Sequence, residues 1–429
     1  MESITNLNHR AISSFETEKS GAAKAFKFNP LDPEFQADPY PTYHHLRCFE
    51  PVHRTFMGVW LLTRYTDAKA VLRDSRFCIC ATPKKIKQRS HYLEQGDFNG
   101  LVQATGKWLI YLNPPDHTRL RGLVSKAFSS ASVKRLRPQI QEVADELISK
   151  VWDKGSMDIM SDFACPLPVK VIAAMLGLPI EDCSKLHRWT DELSSVLDPL
   201  RSLEDYERMN KVALEFTDYF KSLIAERQKK PQQDLLSTLI AAKEQDKKLS
   251  EEEIVSVCML LFVAGEETTI NLIGNGMLAL LRHPDQMQKL KQQPTLIQGA
   301  VEELLRYDSP IQLTTRVATE NVDINGVTIR AGEKVFVSLG AANRDPARFT
   351  DPDHLDITRQ DNTHLSFADG IHYCLGAALA RLEAEIAINT LVQQLPALKL
   401  STDKLKWRNN VTLRGLKALP IAFTPETAE

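Results

Sequence analysis

The sequence has no hydrophobic run long enough to cross a membrane. Its longest nearly unbroken apolar stretch, residues 254–265, contains Ser256 and is far shorter than the roughly 20 residues that a bilayer span needs. The first residues mix charged with scattered apolar side chains and show no apolar core typical of a signal peptide. The sequence therefore predicts no membrane span.

An excess of either charge is also absent. The 429 residues include 53 Lys and Arg against 55 Asp and Glu, a net charge of −2. A protein that binds nucleic acid through its overall charge carries a marked basic excess, so we expect no nucleic-acid partner. The composition, with 43% hydrophobic and 25% charged residues, is that of a folded globular protein.

Paired cysteines are missing as well. The seven cysteines are an odd number, they are scattered along the chain, and none forms a Cys-x-x-Cys pair. Structural disulfides and zinc sites usually show such pairing or close spacing. The pattern favours free thiols in a reducing compartment, and we expect a cytoplasmic protein.

Internal repeats and Gly/Ser-rich linkers are likewise lacking. Residues 1–27 carry no folding signal, and we expect them to form a flexible N-terminal arm. Two Pro-rich segments follow at residues 29–33 and 38–41. Beyond them the chain shows no boundary, so residues 28–429 are predicted to form a single domain.

Apolar residues recur at helical spacing through most of the chain. β-prone residues occur in two patches, 52–65 and 316–339, and Asn325-Gly326 between alternating runs favours a hairpin at 322–329. We therefore expect a mainly α protein with a small β-rich part. The periodicity predicts helices over residues 42–49, 116–128, 132–151, 162–176, 180–196, 203–227, 235–243, 251–282 and 375–394.

The most informative segment is residues 367–376, Phe-Ala-Asp-Gly-Ile-His-Tyr-Cys-Leu-Gly. Gly370 and Gly376 bracket Cys374 just before the predicted last helix. A sulfur at a helix N-terminus meets unpaired backbone N–H groups and the positive end of the helix dipole, which favour the thiolate, and a thiolate is an iron ligand. A buried structural cysteine is the alternative for an isolated residue. The five fixed positions Phe-x-x-Gly-x-His-x-Cys-x-Gly make a chance match rare.

This segment resembles the cytochrome P-450 family of haem-thiolate monooxygenases, in its soluble bacterial-type form. The resemblance covers nearly the whole chain, from Asp38 to Pro420. It implies the cytochrome P-450 fold, in which a long central helix, here residues 251–282, passes over the haem. It also implies a haem b cofactor whose iron is ligated by Cys374, with Phe367 and Gly376 in the same cofactor-binding segment. Ala368 stands where many members carry glycine.

Glu303 and Arg306 lie three residues apart and so share one helix face. Taken alone, they are most simply a solvated ion pair of little energetic value. In the resembled family this Glu-x-x-Arg pair joins a later arginine, best matched by Arg359, in a buried network. The resemblance implies a structural role for all three residues.

Polar residues interrupt the long apolar helix at residues 264–269, Ala-Gly-Glu-Glu-Thr-Thr. Glycine in mid-helix costs about 1 kcal/mol, and such broken local rules tend to mark functional sites. A polar patch on a surface helix is the alternative. The match to the family implies that Ala264 and Gly265 lie at the cofactor. It also implies that Glu267 and Thr268 help to deliver protons for oxygen activation.

The two haem propionates require cations and hydrogen-bond donors. Four residues match family positions for this role: His117, Arg121, Arg316 and His372. His117 and Arg121 are four residues apart and so share a helix face. Each residue alone would be read as a solvated surface group, and it is their joint match that favours a propionate site.

The family's substrate pocket is lined by the loop before the 116–128 helix, the central helix, the segment after Glu-x-x-Arg and a C-terminal turn. We expect a hydrophobic small-molecule substrate, although several of the matching residues would pack a core equally well. The matching positions are all apolar: Leu101, Val102, Leu260, Leu261, Ala264, Ile311, Leu313, Val411 and Leu413.

The sequence contains neither a Gly-x-Gly-x-x-Gly dinucleotide fingerprint nor a cysteine-rich cluster region. We therefore expect electrons from a separate partner, a ferredoxin or flavodoxin with its reductase. Arg73, Lys126 and Arg381 would steer an acidic ferredoxin by charge. Scattered solvated charges are the alternative.

Together these features predict a haem-thiolate monooxygenase that inserts one oxygen atom of O₂ into a hydrophobic molecule, by hydroxylation or epoxidation. Two alternatives stay open. A peroxide-driven oxygenase or isomerase on the same fold would not need the Glu267-Thr268 pair. A non-enzymatic haem-binding sensor or carrier would bind ligands without oxidising them.

Overall fold

The computed structural model describes residues 28–79, 98–125, 128, 130–198, 201–244 and 247–425. The predicted arm, residues 1–27, and Lys126 lie outside the described residues. Both the arm and the assignment of residues 28–429 to a single domain stay predictions.

Helices dominate the described chain, and the mainly α expectation is confirmed. One helical segment, Ile159–Ala164, is a π-helix. Short 3₁₀ turns occur at Leu109–Tyr111, Trp152–Lys154, Ile180–Asp182, Ser195–Leu197, Pro294–Leu296 and Gly370–His372. The α-helices are α1 Pro33–Ala37, α2 Tyr40–Phe49, α3 Tyr65–Arg73, α4 Asn99–Gly106, α5 Asp116–Ser125, α6 Ser130–Lys134, α7 Arg137–Ser149, α8 Pro166–Leu176, α9 Cys183–Ser194, α10 Leu203–Lys229, α11 Leu235–Ala241, α12 Glu251–Arg282, α13 Pro284–Gln292, α14 Ile297–Tyr307, α15 Leu339–Ala342 and α16 Ala377–Gln394.

The central helix α12 has the predicted bounds, and its ends explain why. Ser250 accepts a hydrogen bond from the backbone N–H of Glu253 (3.2 Å), and the Glu253 carboxylate accepts one from the Ser250 N–H (2.9 Å). This capping box satisfies two N–H groups that a helix start leaves unpaired. The helix ends at His283, because Pro284 cannot continue it. Most of its side chains are buried between α8, α9 and α16.

The β-rich part is small. Strands β1 (Val52–Arg54), β2 (Trp60–Leu62), β10 (Lys334–Ser338), β7 (Leu313–Ala318) and β3 (Phe77–Cys78) form a five-stranded sheet in that order. Only β10 and β2 run parallel in it, with Val335 opposite Trp60. Three smaller sheets pair β11 (Lys399–Leu400), β12 (Pro420–Ala422) and β4 (Ser156–Asp158), then β5 (Lys243–Glu244) with β6 (Lys247–Lys248), and β8 (Val322–Ile324) with β9 (Val327–Ile329).

The predicted hairpin at 322–329 is confirmed as β8 and β9. Its two turn residues, Asn325 and Gly326, have φ angles of 50° and 75°. A two-residue hairpin turn of this kind requires positive φ at both positions, which asparagine and glycine tolerate best. The predicted hairpin at 52–65 is confirmed as the antiparallel pair β1 and β2.

Several helix predictions differ from the structure: residues 180–196, for example, form Cys183–Ser194 between two 3₁₀ turns. Three of the differences have a clear local reason. The helix predicted over 132–151 is two helices, α6 and α7, because Pro138 occupies the first turn of α7 and lacks the N–H that a continuous helix needs. The segment predicted over 162–176 divides into the π-helix and α8 at Pro166. The last helix begins at Ala377, two residues later than predicted, since Gly376 is its N-terminal cap.

One stretch of the described chain, Ile159–Leu176, has the length and apolarity of a membrane span by composition. It combines the π-helix with α8, and 61% of it is buried inside the protein. The core helix of a globular domain has the same features. Two large clusters of apolar side chains enclose α12, one built around α16 and one around α10.

Candidate functional site

The loop that carries Cys374 is held in place by its backbone. The Cys374 N–H donates to the carbonyl oxygen of Phe367 (3.0 Å), and a 3₁₀ turn at Gly370–His372 lies between them. Gly370 has a φ of +71°, and a Cβ atom there would lie 2.5 Å from the carbonyl oxygen of Leu72. A glycine is therefore needed at this point for the loop to approach α3.

Ala368 also lies in the left-handed region, with a φ of 58°. An L-residue with a side chain is strained there, by roughly 1–2 kcal/mol. This explains physically why glycine is the usual residue at this position in the resembled family. The strained alanine is compatible with the loop, because the Ala368 N–H still donates to the Leu365 carbonyl at 2.8 Å.

Burial dominates the electrostatics of Cys374. It raises the pKa of the thiol, whereas a hydrogen bond from the Gly376 backbone N–H and the charges of Arg121 and Arg381 lower it. The helix-end stabilisation expected from the sequence is therefore present but outweighed. A metal cation bound at the sulfur would remove the thiol proton outright, whereas without such a cation burial favours the neutral thiol.

The structure brings three of the four predicted propionate residues to the Cys374 loop. The rings of His117 and His372 lie 4.2 Å apart between centroids. The Nη2 atom of Arg121 donates to the carbonyl oxygen of Tyr373 (2.6 Å). Burial, followed by the nearby charges of His117, Arg316 and Arg121, lowers the pKa of His372 to about 3. The positive charge of Arg316 thus also acts at this point.

Arg316 is almost fully buried on β7, at 3% exposure. Its Nη1 atom donates to the Thr315 carbonyl (2.9 Å) and to Thr314 Oγ1 (3.2 Å). Burial lowers its pKa to about 10. A buried cation is costly without a counter-charge. Since the acceptors of its hydrogen bonds in the described chain are neutral oxygen atoms, Arg316 is suited to an anionic ligand.

On the central helix, Ala264 is exposed although its neighbours Val263 and Glu266 are buried. Thr268, one turn later on the same face, is partly exposed, and its hydroxyl donates to the Ala264 carbonyl oxygen (2.7 Å). Gly265, by contrast, packs against α8: a Cβ atom on Gly265 would lie 2.9 Å from Ile172 Cδ1 of that helix. The Ala264–Thr268 stripe therefore faces open space, as a ligand site would require.

Glu267 points sideways from that stripe and is buried, with 4% exposure. Burial raises the pKa of its carboxyl group, while Arg408 and the Ser194 hydroxyl oppose that rise. The Nη1 atom of Arg408 lies 3.5 Å from Glu267 Oε1 and 2.7 Å from Asp191 Oδ1. Glu267 is therefore an internal acid whose ion-pair partner, Arg408, reaches solvent.

Glu303, Arg306 and Arg359 come together in the interior. Arg306 donates from Nε and Nη2 to the two carboxylate oxygens of Glu303, both at 2.8 Å, and Arg359 Nε donates at 3.1 Å. Glu303 and Arg306 are completely buried. The remaining Arg306 donor reaches the backbone carbonyls of Asn343 and Pro352. The charges are paired and hydrogen-bonded, as buried ions must be.

The predicted pocket residues divide by exposure. Val102, Leu261 and Ile311 are partly exposed, as residues that line a space would be. Ile311 also forms an isolated β-bridge with Leu413. The others are enclosed by protein atoms: Leu101, Leu260, Leu313, Val411 and Leu413. These five pack as core residues behind the partly exposed ones.

Sequence reasoning missed the residues that surround the two acids of α12. His187 contacts Glu266, and Asp191 and Arg408 connect to Glu267. His187 and Asp191 lie on α9, and Arg408 lies in a C-terminal loop. All three are far from α12 along the chain. The only signal in the sequence was the unusual pair of adjacent acids in an apolar helix.

Comparison with known proteins agrees with this geometry. The family model for cytochrome P450 matches residues 43–413. A biotin biosynthesis cytochrome P450 of Bacillus subtilis is 45% identical over 91% of this chain and 97% of its own length. The cytochrome P450 monooxygenase PikC of Streptomyces venezuelae is 41% identical over 92% of this chain and 93% of its own.

The fold agrees too. The crystal structure of P450BioI, in complex with hexadec-9Z-enoic acid ligated to an acyl carrier protein, superposes with a TM-score of 0.85 at 44% identity. The superposition covers 91% of this chain and 99% of the P450BioI chain. The family, the fold and the oxidoreductase class that the motifs predicted are confirmed, and with them a haem cofactor, O₂ and a redox partner. The chain belongs to the cytochrome P450 family of monooxygenases.

Proposed function

We propose that this monooxygenase inserts one oxygen atom of O₂ into a hydrophobic small molecule, by hydroxylation or epoxidation, in the cytoplasm. The observation that carries the proposal is the convergence of His117, Arg121 and His372 on the loop of Cys374, where the charge of the buried Arg316 also acts. Arg316, the buried cation among them, donates to neutral oxygen atoms of Thr314 and Thr315 in the described chain.

The residues at this loop fit haem b. The Nε2 atom of His117 is buried and has no hydrogen-bond partner among the described residues, and Arg316 is a buried cation. Two propionates would supply the missing acceptor and the counter-charge. Cys374 would hold the iron, and the small side chain of Ala264, which is exposed on α12, would let a flat ring approach that helix. The sequence has no Cys-x-x-Cys-His motif for covalent attachment, which supports the b type.

When bound, the haem supplies the redox chemistry that activates dioxygen. The protein's own contribution to that reaction is protons. Asp191, with 52% of its side chain exposed, contacts Arg408, and Arg408 contacts the buried acid Glu267. Glu267 would take up a proton from this solvent-linked side and pass it towards Thr268, whose hydroxyl can rotate from the Ala264 carbonyl to donate on the open face of α12.

The partly exposed residues Val102, Leu261 and Ile311 support an apolar substrate. Each buried methylene of a substrate contributes roughly 0.8 kcal/mol in such a pocket. The relative that was crystallised with a sixteen-carbon acyl chain on its carrier protein supports the same class. We infer that the substrate is a long apolar chain or an apolar ring system.

Electrons would come from a ferredoxin or flavodoxin with its reductase. Of the arginines expected to steer it, Arg73 is paired with Asp369 (3.0 Å) and Arg381 with Glu302 (2.6 Å). Pairing reduces their long-range field. Ile371 and Tyr373 of the Cys374 loop are exposed at 55% and 40%, and they would contribute apolar contact once a partner has arrived.

The test is oxidation by the haem-loaded protein, supplied with a ferredoxin, its reductase and NAD(P)H. We expect substrate-dependent NAD(P)H consumption and an oxygenated product with saturated and unsaturated fatty acids, and none with small polar compounds. Thr268→Ala should retain consumption but lose most of the product, releasing hydrogen peroxide instead. Thr295, which is exposed, gives a matched Thr→Ala control.

Two outcomes would contradict the proposal. Product formed with hydrogen peroxide alone, and not with the redox partner, would favour the peroxide-driven oxygenase. Binding of apolar ligands with no coupled oxidation under any condition would favour the haem sensor or carrier. The buried Glu267 beside Thr268 argues against both, since neither needs a proton route from solvent.

A further inference from the structure

Glu266 is the acid on α12 that the proposed reaction does not use. An α-helix turns about 100° per residue, so Glu266 lies about 160° around the helix from both Ala264 and Thr268. It therefore points away from the open face and towards α9. Its side chain is 1% exposed, and its Oε2 atom has no hydrogen-bond partner among the described residues.

His187 of α9 meets this acid. Its Nδ1 atom contacts Glu266 Oε1, and 34% of its side chain is exposed. Burial raises the pKa of Glu266 to about 7, while His187 opposes that rise. The hydrogen bond to Glu266 raises the pKa of His187. At neutral pH the pair therefore holds a proton between a buried carboxylate and a ring that solvent can reach.

The same helix α9 supplies the surroundings of Glu267. The Ser194 hydroxyl lies beside the Glu267 carboxyl, and Asp191 holds Arg408, which faces Glu267. Any movement of α9 away from α12 would displace both partners of Glu267 together. The contact of His187 with Glu266 is an ion pair that joins these two helices directly.

We propose that His187 is a positioning residue for the proposed proton delivery. By pairing with Glu266 it fixes α9 against α12, and so keeps Ser194 and the Asp191–Arg408 pair at the Glu267 carboxyl. When His187 loses its proton, Glu266 becomes a buried carboxylate without a counter-charge, and α9 loosens. The inference rests on the function proposed above for Glu267.

The way in which the contact between α9 and α12 changes with pH follows from the titration of His187 and Glu266. A histidine whose pKa is raised by folding stabilises the fold fully below its unfolded value of 6.5 and loses that contribution as pH rises through the folded pKa. Glu266, with its raised pKa, becomes charged over the same range. Rising pH therefore weakens the contact between His187 and Glu266, which holds α9 against α12. The charged or titratable groups that face the pair are Asp191, Arg408, Glu267, Cys165 and Cys183.

The first test needs no turnover. Hydrogen exchange of the α9 amides is measured between about pH 6 and 9 in the haem-loaded protein, and is normalised to the α7 amides to remove the intrinsic effect of pH. Loss of one linked proton changes an equilibrium by at most about tenfold per pH unit. We expect α9 protection to fall several-fold in the parent. It should stay flat in Glu266→Gln, which keeps a hydrogen bond but removes the buried acid. In His187→Gln the fall should move to higher pH, because Glu266 still titrates there and His187 no longer lowers its pKa.

His354→Asn is the matched control, because His354 is exposed and distant from α9. The second readout is product formed per NAD(P)H. It should fall with rising pH in the parent and control, fall only at higher pH in His187→Gln and stay flat in Glu266→Gln, with substrate KM unchanged. An α9 exchange profile shared by all four proteins would overturn the inference. A parent that folds, shows the exchange effect and yet oxidises nothing would instead contradict the proposed function.

Discussion

The Nη1 atom of Arg408 lies 3.5 Å from Glu267 Oε1, so an arginine from the C-terminal loop faces the internal acid of the central helix. The same atom lies 2.7 Å from Asp191 Oδ1, whose side chain is half exposed. Two carboxylates, one buried and one in solvent, therefore share a single guanidinium. This arrangement connects the surface to the proposed site without opening the apolar core.

Arg408→Gln is expected to move the titration of Glu267 to higher pH. Burial raises the pKa of Glu267, and Arg408 is the strongest influence that lowers it. An opposite charge at this range is worth about one pH unit or more. The pH profile of product per NAD(P)H should shift upward by about that amount. Arg137→Gln, on an exposed pair with Glu385, is the control, and an unshifted profile in Arg408→Gln would refute the assignment.

His117→Phe is expected to weaken haem binding without weakening the haem-free protein. His117 Nε2 is buried with no partner among the described residues, so its removal deletes an unpaired polar atom from the interior. A hydrogen bond to a charged group contributes about 1.5–3 kcal/mol. Haem dissociation should therefore accelerate by at least roughly tenfold.

The measurement for His117→Phe is transfer of haem to apomyoglobin, followed by its absorbance, together with denaturant unfolding of the apoprotein. An unchanged transfer rate would show that His117 does not contact the cofactor. A large loss of apoprotein stability would show that the histidine is structural instead.

Glu303→Gln is expected to destabilise the fold by about 3–5 kcal/mol, the usual loss when one partner of a buried ion pair is removed. Arg306 is completely buried and would lose the carboxylate that accepts its Nε and Nη2 donors at 2.8 Å. Denaturant unfolding measures the loss. Arg208→Gln on the exposed face of α10 should change stability much less, and equal losses would contradict the buried network.

Gly370→Ala is expected to disrupt the Cys374 loop. The new Cβ would lie 2.5 Å from the Leu72 carbonyl oxygen in addition to the strain of a φ of +71°. Gly332→Ala separates these effects, because Gly332 has a φ of +84° and no atom within 4 Å of its Cβ position. We expect reduced haem content only in Gly370→Ala. Loss of haem in both variants, or in neither, would contradict the close approach of the loop to α3.

Ala368→Gly is expected to stabilise the protein. It relieves the left-handed strain of Ala368, whose φ is 58°, at roughly 1–2 kcal/mol, and part of this gain is offset by the greater freedom of glycine in the unfolded chain. The net change should raise the free energy of unfolding by up to about 1 kcal/mol. A lower unfolding midpoint would mean that the alanine methyl group makes a contact that outweighs the strain.

Much of the fold could be predicted because its signals are local. The bounds of α12 follow from Ser250 and Glu253 at one end and Pro284 at the other. The hairpin follows from Asn325 and Gly326. The break between α6 and α7 was missed because the apolar spacing of 132–151 continues through Pro138, which occupies the first turn of α7.

The candidate site was predictable only in part. The motif residues around Cys374 stand close together in the sequence, so their pattern was recognisable. Leu101 and Leu413 carry the same apolar character as Ile311, and only the packing shows that they are enclosed while Ile311 is partly exposed. His187 and Arg408 had no signal, since each meets its acid across a large separation along the chain.

The central claim is that Cys374 is the thiolate ligand of a haem in this fold. It is tested most directly by the absorption spectrum of the reduced, carbon monoxide-treated protein beside that of Cys374→Ala, with Cys183→Ala as the control. We expect the red-shifted Soret band of thiolate ligation in the parent and in Cys183→Ala, and its loss in Cys374→Ala. The same band in Cys374→Ala, or its absence from the freshly purified, haem-loaded parent, would contradict the account.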